Sequence, residues 1–144
     1  MSMLFGYRRV RQADRAGRAL LYIAGCFNFS AAAIVMIIVR FAPALIGLVQ
    51  PVSSQMLFID LVIGLIVIFG IGYMLAAHDL SRFWPCVALG IAGKSLFVVL
   101  IFSYFALGLI GTVLAVLVCG DLVFTVLFHR LLERHAQTEE FPHV

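Results

Sequence analysis

Two ionisable residues lie deep inside runs of apolar sequence, Lys94 after "GIAG" and Asp121 after "VLVCG". A charge at the centre of a membrane-spanning helix costs at least ~2.5–3.5 kcal/mol, so each of the two needs a partner. A turn near Leu107 follows Lys94 by thirteen residues and precedes Asp121 by fourteen. At ~1.5 Å of rise per residue, both lie about 20 Å from that turn, at one depth on neighbouring antiparallel helices. The sequence therefore predicts a buried ion pair between Lys94 and Asp121.

The chemistry of that pair allows two interpretations. As a structural element, it would hold the register of a helical hairpin whose other contacts are apolar and interchangeable. As a functional element, it would relay protons, hold a coupling ion, or hydrogen-bond a quinone or a lipid headgroup. Both interpretations stay open, because residue spacing bears on depth and not on role.

Two further polar residues, Asn28 and Asp60, lie inside apolar stretches and extend the candidate site. If their side chains face inward with those of Lys94 and Asp121, the four outline one polar chamber, which is the candidate site. Asp60 also has another natural partner, because Arg40 ends the preceding apolar stretch and would form an outer ion pair with it. No residue pattern predicts a catalytic centre or a metal site.

The run "GIAGKS" (90–95) resembles the end of a nucleotide-binding loop without its context. That loop needs the pattern G-x-x-x-x-G-K-[ST] between a strand and a helix, and Ala88 occupies the position of its first glycine. The flanking residues are apolar, so their backbone amides are committed to a helix and cannot wrap a phosphate. We expect no nucleotide ligand.

Histidines and cysteines offer weaker candidates. His78 and His129 end two apolar stretches on one side of the membrane, and two facing imidazoles can ligate a haem iron. Histidines at such positions are more often interfacial polar caps. Cys26, Cys86 and Cys119 are odd in number and lack C-x-x-C spacing, which argues against a thiol relay. We expect the cysteines to behave as small apolar residues.

Membrane-spanning helices must position these residues. The 144 residues are 64% hydrophobic and 12% charged, with a mean hydropathy of +1.14, whereas soluble domains carry about 25% charged residues. Four apolar runs of about 20 residues are each long enough to cross a bilayer as a helix. We predict an all-α integral membrane protein, an antiparallel four-helix bundle in one domain. The predicted spans cover about 19–39, 56–77, 84–104 and 109–129, flanked by a basic leader, 1–18, and a tail, 130–144.

Basic residues predict the orientation of the chain. They concentrate before the first span, between the second and third, and after the fourth, whereas the other side carries Arg40 alone. Because cytoplasmic loops carry an excess of Lys and Arg, we expect both termini in the cytoplasm. This topology accounts for the net charge of +3 without nucleic acid as a partner, and the leader is expected to lie on anionic lipid. The basic residues on the predicted cytoplasmic side are Arg8, Arg9, Arg11, Arg15, Arg18, Arg82, Arg130 and Arg134.

Small residues predict where helices approach each other closely. In membranes, faces of the pattern small-x-x-x-small let two backbones come together. The predicted packing residues are Gly72 and Ala76 in the second span, and Ala88, Gly90, Ala92 and Gly93 in the third.

Three stretches carry a resemblance to a known family: "GIGYMLAAHDLSRFWP" (70–85), "GKS" (93–95) and "CGDLVFTVLFHRLLER" (119–134). They resemble the small four-span bacterial membrane proteins grouped as DoxX-like, over the second to fourth spans. The resemblance implies an antiparallel four-helix bundle. It also implies a place among proteins of which some are membrane subunits of quinone-linked or thiol-linked oxidoreductase complexes, while most have no established activity.

The first functional interpretation is a small accessory or scaffold subunit of a larger inner-membrane complex. It would pack against partner helices and lipid, with quinone or lipid as the ligand to consider, since no motif implies a cofactor. The first alternative is an oligomeric transporter or proton-conducting protein that uses Asp60, Lys94 and Asp121. The second is a quinone- or haem-linked membrane oxidoreductase subunit. Expected partners are membrane lipids and either other membrane subunits or further copies of the chain.

Overall fold

The computed structural model describes residues 12–47 and 49–136, and this part of the chain is all helical. It contains four long helices and one short 3₁₀ helix, and no β-strand among the residues described. This arrangement is consistent with the predicted four-helix bundle. The helices are α1 (Arg15–Phe41), α2 (Ser53–His78), α3 (Leu80–Ala106) and α4 (Thr112–His135), and the 3₁₀ helix, Pro43–Ile46, follows α1.

All four long helices are long and apolar enough to cross a membrane, as a multi-pass membrane protein requires. They have 24 to 27 residues, or about 36–40 Å of helix against a hydrocarbon core of about 30 Å. The first three predicted spans each fall within one helix. The fourth was predicted from residue 109, whereas α4 begins at Thr112, because the turn after α3 includes Gly108 at φ 70° and extends to Gly111.

The helix ends explain where the chain turns. Asp14 precedes α1, and its side chain accepts a hydrogen bond of 2.7 Å from the backbone N–H of Gly17. Asp79 alone separates α2 from α3, and its carboxylate accepts a hydrogen bond of 3.1 Å from the backbone N–H of Arg82. Most of the predicted leader, residues 1–11, lies outside the described part, so the predicted leader on lipid stays a prediction.

One end of the molecule brings together the start of α1, the α2–α3 connection and the end of α4. The side chain of Gln12 donates a hydrogen bond of 2.7 Å to Asp79 and accepts one of 3.1 Å from the N–H of Leu80. The backbone N–H of Asp14 donates to the imidazole Nε2 of His135 at 3.3 Å. We call this the Asp79 end.

The main apolar core lies next to the Asp79 end and takes residues from every long helix. Leu21, Tyr73, Leu80, Phe128 and Leu132 are its largest fully buried side chains. The ring of Tyr73 packs 4.8 Å from that of Phe128, centroid to centroid. The core thus joins α2 to α4 through two aromatic rings.

Glycines allow the close approach between α2 and α3 that the sequence predicts. A Cβ on Gly90 would lie 2.7 Å from Cε1 of Tyr73, and one on Gly72 would lie 3.4 Å from Cβ of Cys86. Gly93 faces Phe69 less tightly, at 3.5 Å. Side chains of the neighbouring helix therefore occupy the space that these glycines leave.

The alanines of the predicted packing faces behave differently from one another. Ala76 and Ala88 are fully buried in the core, as expected for packing residues. Ala92 is exposed on the surface of the described chain, so its predicted packing role stays a prediction. The inward face of α3 carries Gly90 and Lys94 instead, and Ala92 lies two residues from each, which turns it to the outer surface.

The contact between α1 and α2 uses glycines that the sequence did not single out as a pair. A Cβ on Gly25 would lie 2.8 Å from Cε of Met74, and one on Gly70 would lie 2.7 Å from Cε1 of Phe29. On each of the two helices, a glycine therefore lies opposite a large side chain of the other helix. This close packing positions Asn28 of α1 beside α2.

Candidate functional site

The ammonium of Lys94 lies against the carboxylate of Asp121 in the interior of the four helices. Lys94 is in the middle of α3 and Asp121 is in the middle of α4. The two side chains are only 9% and 15% exposed, so water screens their attraction poorly. Equal distance from the α3–α4 turn is what allows the two groups to meet.

Asn28 extends the ion pair to the other two helices. The Lys94 ammonium donates a second hydrogen bond, of 3.2 Å, to Oδ1 of Asn28 on α1. The Nδ2 of Asn28 in turn donates to the backbone carbonyl of Ile66 on α2, at 3.1 Å. A continuous polar network, formed by Asn28, Lys94, Asp121 and the Ile66 carbonyl, therefore links all four long helices.

Three aromatic rings surround the ammonium of Lys94. Its Nζ lies 5.7 Å from the ring centroids of Phe27 and Phe124 and 5.8 Å from that of Tyr73. Phe27 and Phe124 also pack on each other, with centroids 5.1 Å apart. The negative faces of aromatic rings attract cations. The charge of Lys94 is therefore stabilised by ring faces as well as by Asp121.

The polar network has unused hydrogen-bonding capacity. An ammonium has three N–H donors, and Lys94 uses two of them, on Asn28 and Asp121. Asp121 uses Oδ1 for this contact, and within the described chain its Oδ2 has no hydrogen-bond partner. One donor and one acceptor therefore remain for a ligand.

A cavity of about 370 Å³ borders the network. Apart from Ser30 and Tyr73, the rest of its wall is apolar, and it receives side chains from all four long helices. Several wall residues are also exposed, so the cavity extends to the outer surface of the helices; these are Ile34, Val62, Leu65 and Leu117. The site is thus an apolar chamber with one polar region formed by Lys94, Asp121 and Asn28.

Asp60 does not join this chamber, which corrects the predicted set of four. Its carboxylate contacts the guanidinium of Arg40 at 2.8 Å, in the outer ion pair that the sequence proposed for it. Asp60 is 48% exposed and does not line the cavity. It lies six residues from Ile66, or about 9 Å along α2. The candidate chamber therefore consists of Asn28, Lys94 and Asp121.

The structure gives the two histidines separate surroundings. His78 is exposed at the end of α2. His129 is 61% exposed and contacts Glu133, one turn further along α4, at 3.1 Å. Within the described chain, no three residues among His, Cys, Asp and Glu are grouped as metal ligands. The haem alternative for His78 and His129 stays a prediction.

The three cysteines are free thiols in the structure. Cys26 and Cys119 are exposed on the helix surface, and Cys86 is half-buried beside Gly72. The thiol of Cys119 lies 3.5 Å from the carbonyl of Ala115 in its own helix. These positions offer no contact between a cysteine and the polar network of the described chain.

Comparison with family models, curated proteins and solved structures finds no match for this chain. The DoxX-like resemblance therefore stays a prediction from short stretches of sequence. The case for a function rests on the chain's own residues.

Sequence reasoning missed the aromatic enclosure of Lys94. Phe27 directly precedes Asn28, and Phe124 lies three residues after Asp121. The spacing of three residues places Phe124 on the same helix face as Asp121, so it was available as a signal. No sequence signal marked the contact between Tyr73 and Lys94, because this contact depends on how α2 is rotated against α3.

Proposed function

We propose that this protein is a small subunit of an inner-membrane complex that holds the head of a quinone-class lipid in its cavity. One observation carries the proposal: the network of Asn28, Lys94 and Asp121 lies in the wall of a mostly apolar cavity of about 370 Å³. Small-molecule sites are typically cavities of about 300–1,000 Å³, mostly apolar, with a few placed polar groups. This cavity has that composition.

The chemistry of the polar region favours a quinone ring. A quinone carbonyl accepts hydrogen bonds, and the third N–H of Lys94 is available as donor. The hydroxyl of a reduced quinone donates, and Oδ2 of Asp121 is available as acceptor. The ring itself packs favourably on the aromatic side chains of Phe27 and Tyr73, which line the cavity. The apolar tail would extend between the helices into lipid.

A phospholipid headgroup fits this chamber less well. A phosphate needs several donors or an unpaired cation, and the only lysine at the cavity is already neutralised by Asp121. A quinone head is uncharged and costs far less to remove from water. The network therefore suits a neutral head with two hydrogen-bonding positions.

The same proposal includes an antiparallel arrangement with both termini in the cytoplasm. Support comes from the Asp79 end, where Gln12 bonds to Asp79 and Asp14 bonds to His135. These contacts bring the start of α1, the α2–α3 connection and the end of α4 to one side. Most basic residues lie on that side, which the positive-inside rule assigns to the cytoplasm.

We assign the site to an accessory subunit because a bound quinone needs a partner for electron transfer. A neighbouring subunit with a redox centre would supply or accept the electrons. The transporter or proton-conducting alternative uses Asp60 together with Lys94 and Asp121, and it is less favoured because Asp60 lies outside the chamber, paired with Arg40. Purification in mild detergent checks this assignment: we expect co-purifying subunits, and a single-component oligomer would contradict it.

Quinone binding is tested with paired substitutions that remove charge without stranding a partner. We expect Lys94→Met with Asp121→Leu to weaken binding of tritium-labelled decylubiquinone to the micelle-solubilised protein by at least about tenfold, because the hydrogen bond from the Lys94 ammonium to the quinone carbonyl is lost. The matched control is Arg40→Met with Asp60→Leu, which removes the other interhelical ion pair outside the cavity. Equal binding by both double variants and the unmodified chain would overturn the proposal.

A further inference from the structure

A second pocket, of about 310 Å³, lies between α1 and α2 at the Asp79 end. Arg15, Arg18 and Tyr22 line it from α1, and His78 lines it from the end of α2. The α1 residues are spaced by three and four, which places them on one helix face. Two alanines, Ala19 and Ala77, leave room between the polar side chains.

The two guanidinium groups of this pocket take part in no ion pair with another described residue. Within the described chain, the ion pairs are Lys94–Asp121, Arg40–Asp60 and His129–Glu133, and neither Arg15 nor Arg18 takes part in one. The acidic residues near this end are bonded elsewhere. Asp14 caps α1 through Gly17, and Asp79 accepts hydrogen bonds from Gln12, Ser81 and Arg82.

The position of the pocket along the helices fits a lipid headgroup. Arg15 and Arg18 start α1 just before its apolar stretch, and His78 ends α2. Cations at this boundary lie at the depth of lipid phosphates, and a tyrosine such as Tyr22 is typical of the interface. Below the pocket the α1 surface is apolar and exposed, at Tyr22 and Ile23, where an acyl chain can pack.

We propose that this pocket binds the phosphate of an anionic phospholipid. The forked donors of Arg15 and Arg18 match phosphate oxygens, and Tyr22 and His78 offer further donors beside them. A zwitterionic lipid such as phosphatidylcholine offers the same phosphate but adds a choline cation that the two arginines repel. The site is separate from the quinone cavity, and neither proposal depends on the other.

The test compares two double variants with the same change in charge. In Arg15→Gln with Arg18→Gln, we expect the affinity for phosphatidylglycerol, measured by native mass spectrometry of the micelle-solubilised protein, to fall about 30-fold. The control, Arg130→Gln with Arg134→Gln, removes two exposed arginines from the end of α4. We expect its affinity to stay within about twofold of that of the unmodified chain.

Several results would overturn the proposal. An equal loss in both double variants would show general surface electrostatics, and no loss in either would show that the pocket is not used. Equal binding of phosphatidylcholine and phosphatidylglycerol by the unmodified chain would contradict the charge argument. Competition by millimolar inorganic phosphate as strong as that by phosphatidylglycerol would assign the pocket to a free anion and not to a lipid. Helicity and thermal unfolding of each variant check that it is folded.

Discussion

At the residue scale, Lys94 is the side chain that makes the most polar and aromatic contacts in the polar network. Its ammonium contacts Asp121 and Asn28 and lies within 5.8 Å of three ring centroids. The Lys94 ammonium and the Asp121 carboxylate differ in the contacts that each keeps when the other is removed. Lys94 keeps Asn28 and the rings, whereas Asp121 keeps no hydrogen-bond partner for its carboxylate within the described chain.

This asymmetry predicts unequal effects of two substitutions. Breaking a buried pair costs about 3–5 kcal/mol, and we expect Lys94→Ala near the top of that range and Asp121→Ala near the bottom, because ring faces stabilise the remaining ammonium. Replacing both, with Lys94→Met and Asp121→Leu, should recover most of the loss. Unfolding free energies in mixed micelles measure all three variants. A double variant no more stable than either single variant would contradict this account.

Asp79 gives the protein a dependence on acid pH. Hydrogen bonds, first from the Ser81 hydroxyl and then from the Arg82 N–H and Gln12, lower the pKa of the Asp79 carboxyl below its usual 3.8. A lowered folded-state pKa contributes stability that is present above the unfolded pKa and lost as pH falls through the folded pKa. We therefore expect no change from this group between pH 7 and 5, and a loss below about pH 4.

The variant Asp79→Asn checks that prediction, because asparagine caps a helix as well as aspartate does and does not titrate. Thermal unfolding is followed between pH 7 and pH 3 for both chains. The unmodified chain should lose more stability below pH 4 than the variant. Parallel curves would show that Asp79 makes no contribution to the acid response.

At the element scale, glycines set how closely the helices approach. Gly90 faces the ring of Tyr73, whereas a Cβ on Gly64 of α2 would meet nothing within 4 Å. Both residues are inside helices, where glycine is less favourable than alanine by roughly 0.5–1 kcal/mol. Any difference in stability between substitutions at Gly90 and Gly64 should therefore come from the side chain that each glycine faces, since both have a helical backbone.

The two glycines make a matched pair of substitutions. We expect Gly90→Ala to destabilise the protein by about 1–3 kcal/mol, because the new methyl group overpacks against Tyr73. Gly64→Ala should be neutral or stabilising, because only the gain in helix propensity remains. Thermal unfolding in one detergent compares them. A Gly90→Ala variant as stable as Gly64→Ala would contradict the close contact between Gly90 and Tyr73.

The sequence predicts the elements and the depths of residues well, and the rotation of helices poorly. Lys94 and Asp121 could be paired because helical rise is regular and the α3–α4 turn is short. For Asp60 the sequence left two positions open, the polar chamber and the outer ion pair with Arg40, and only the structure distinguishes them. In a membrane, lipid-facing and buried positions are both apolar, so hydrophobic periodicity does not mark the inward face as it does in water.

At the scale of the whole molecule, the Asp79 end concentrates both the polar connections and the basic residues. Gln12, Asp14, Asp79 and His135 join the three chain segments there. The opposite end has two glycines in close contact, where the backbone N of Gly111 would lie 2.8 Å from a Cβ on Gly47. Charge is therefore distributed unequally between the two ends.

This inequality predicts the sidedness of the protein. A reporter fused after Val144 should be active in the cytoplasm, and one inserted after Ala44, in the 3₁₀ helix, should be active on the other side. Each position is tested with two fusions. Alkaline phosphatase is active outside the cytoplasm, and a fluorescent protein reports the cytoplasm, so the sidedness of each position is measured twice. A fusion at Val144 that is active in the periplasm would overturn the proposed topology.

The order in which the network residues occur along the chain has a consequence for biosynthesis. Asn28 leaves the ribosome first, Lys94 follows, and Asp121 comes 27 residues after Lys94. When α3 enters the translocation channel, its lysine therefore finds an amide partner on α1 but no counter-charge. The charge is neutralised only once α4 has arrived. We therefore expect α4 to be the helix that completes the network, and a chain stopped before Asp121 to keep a Lys94 ammonium without its counter-charge.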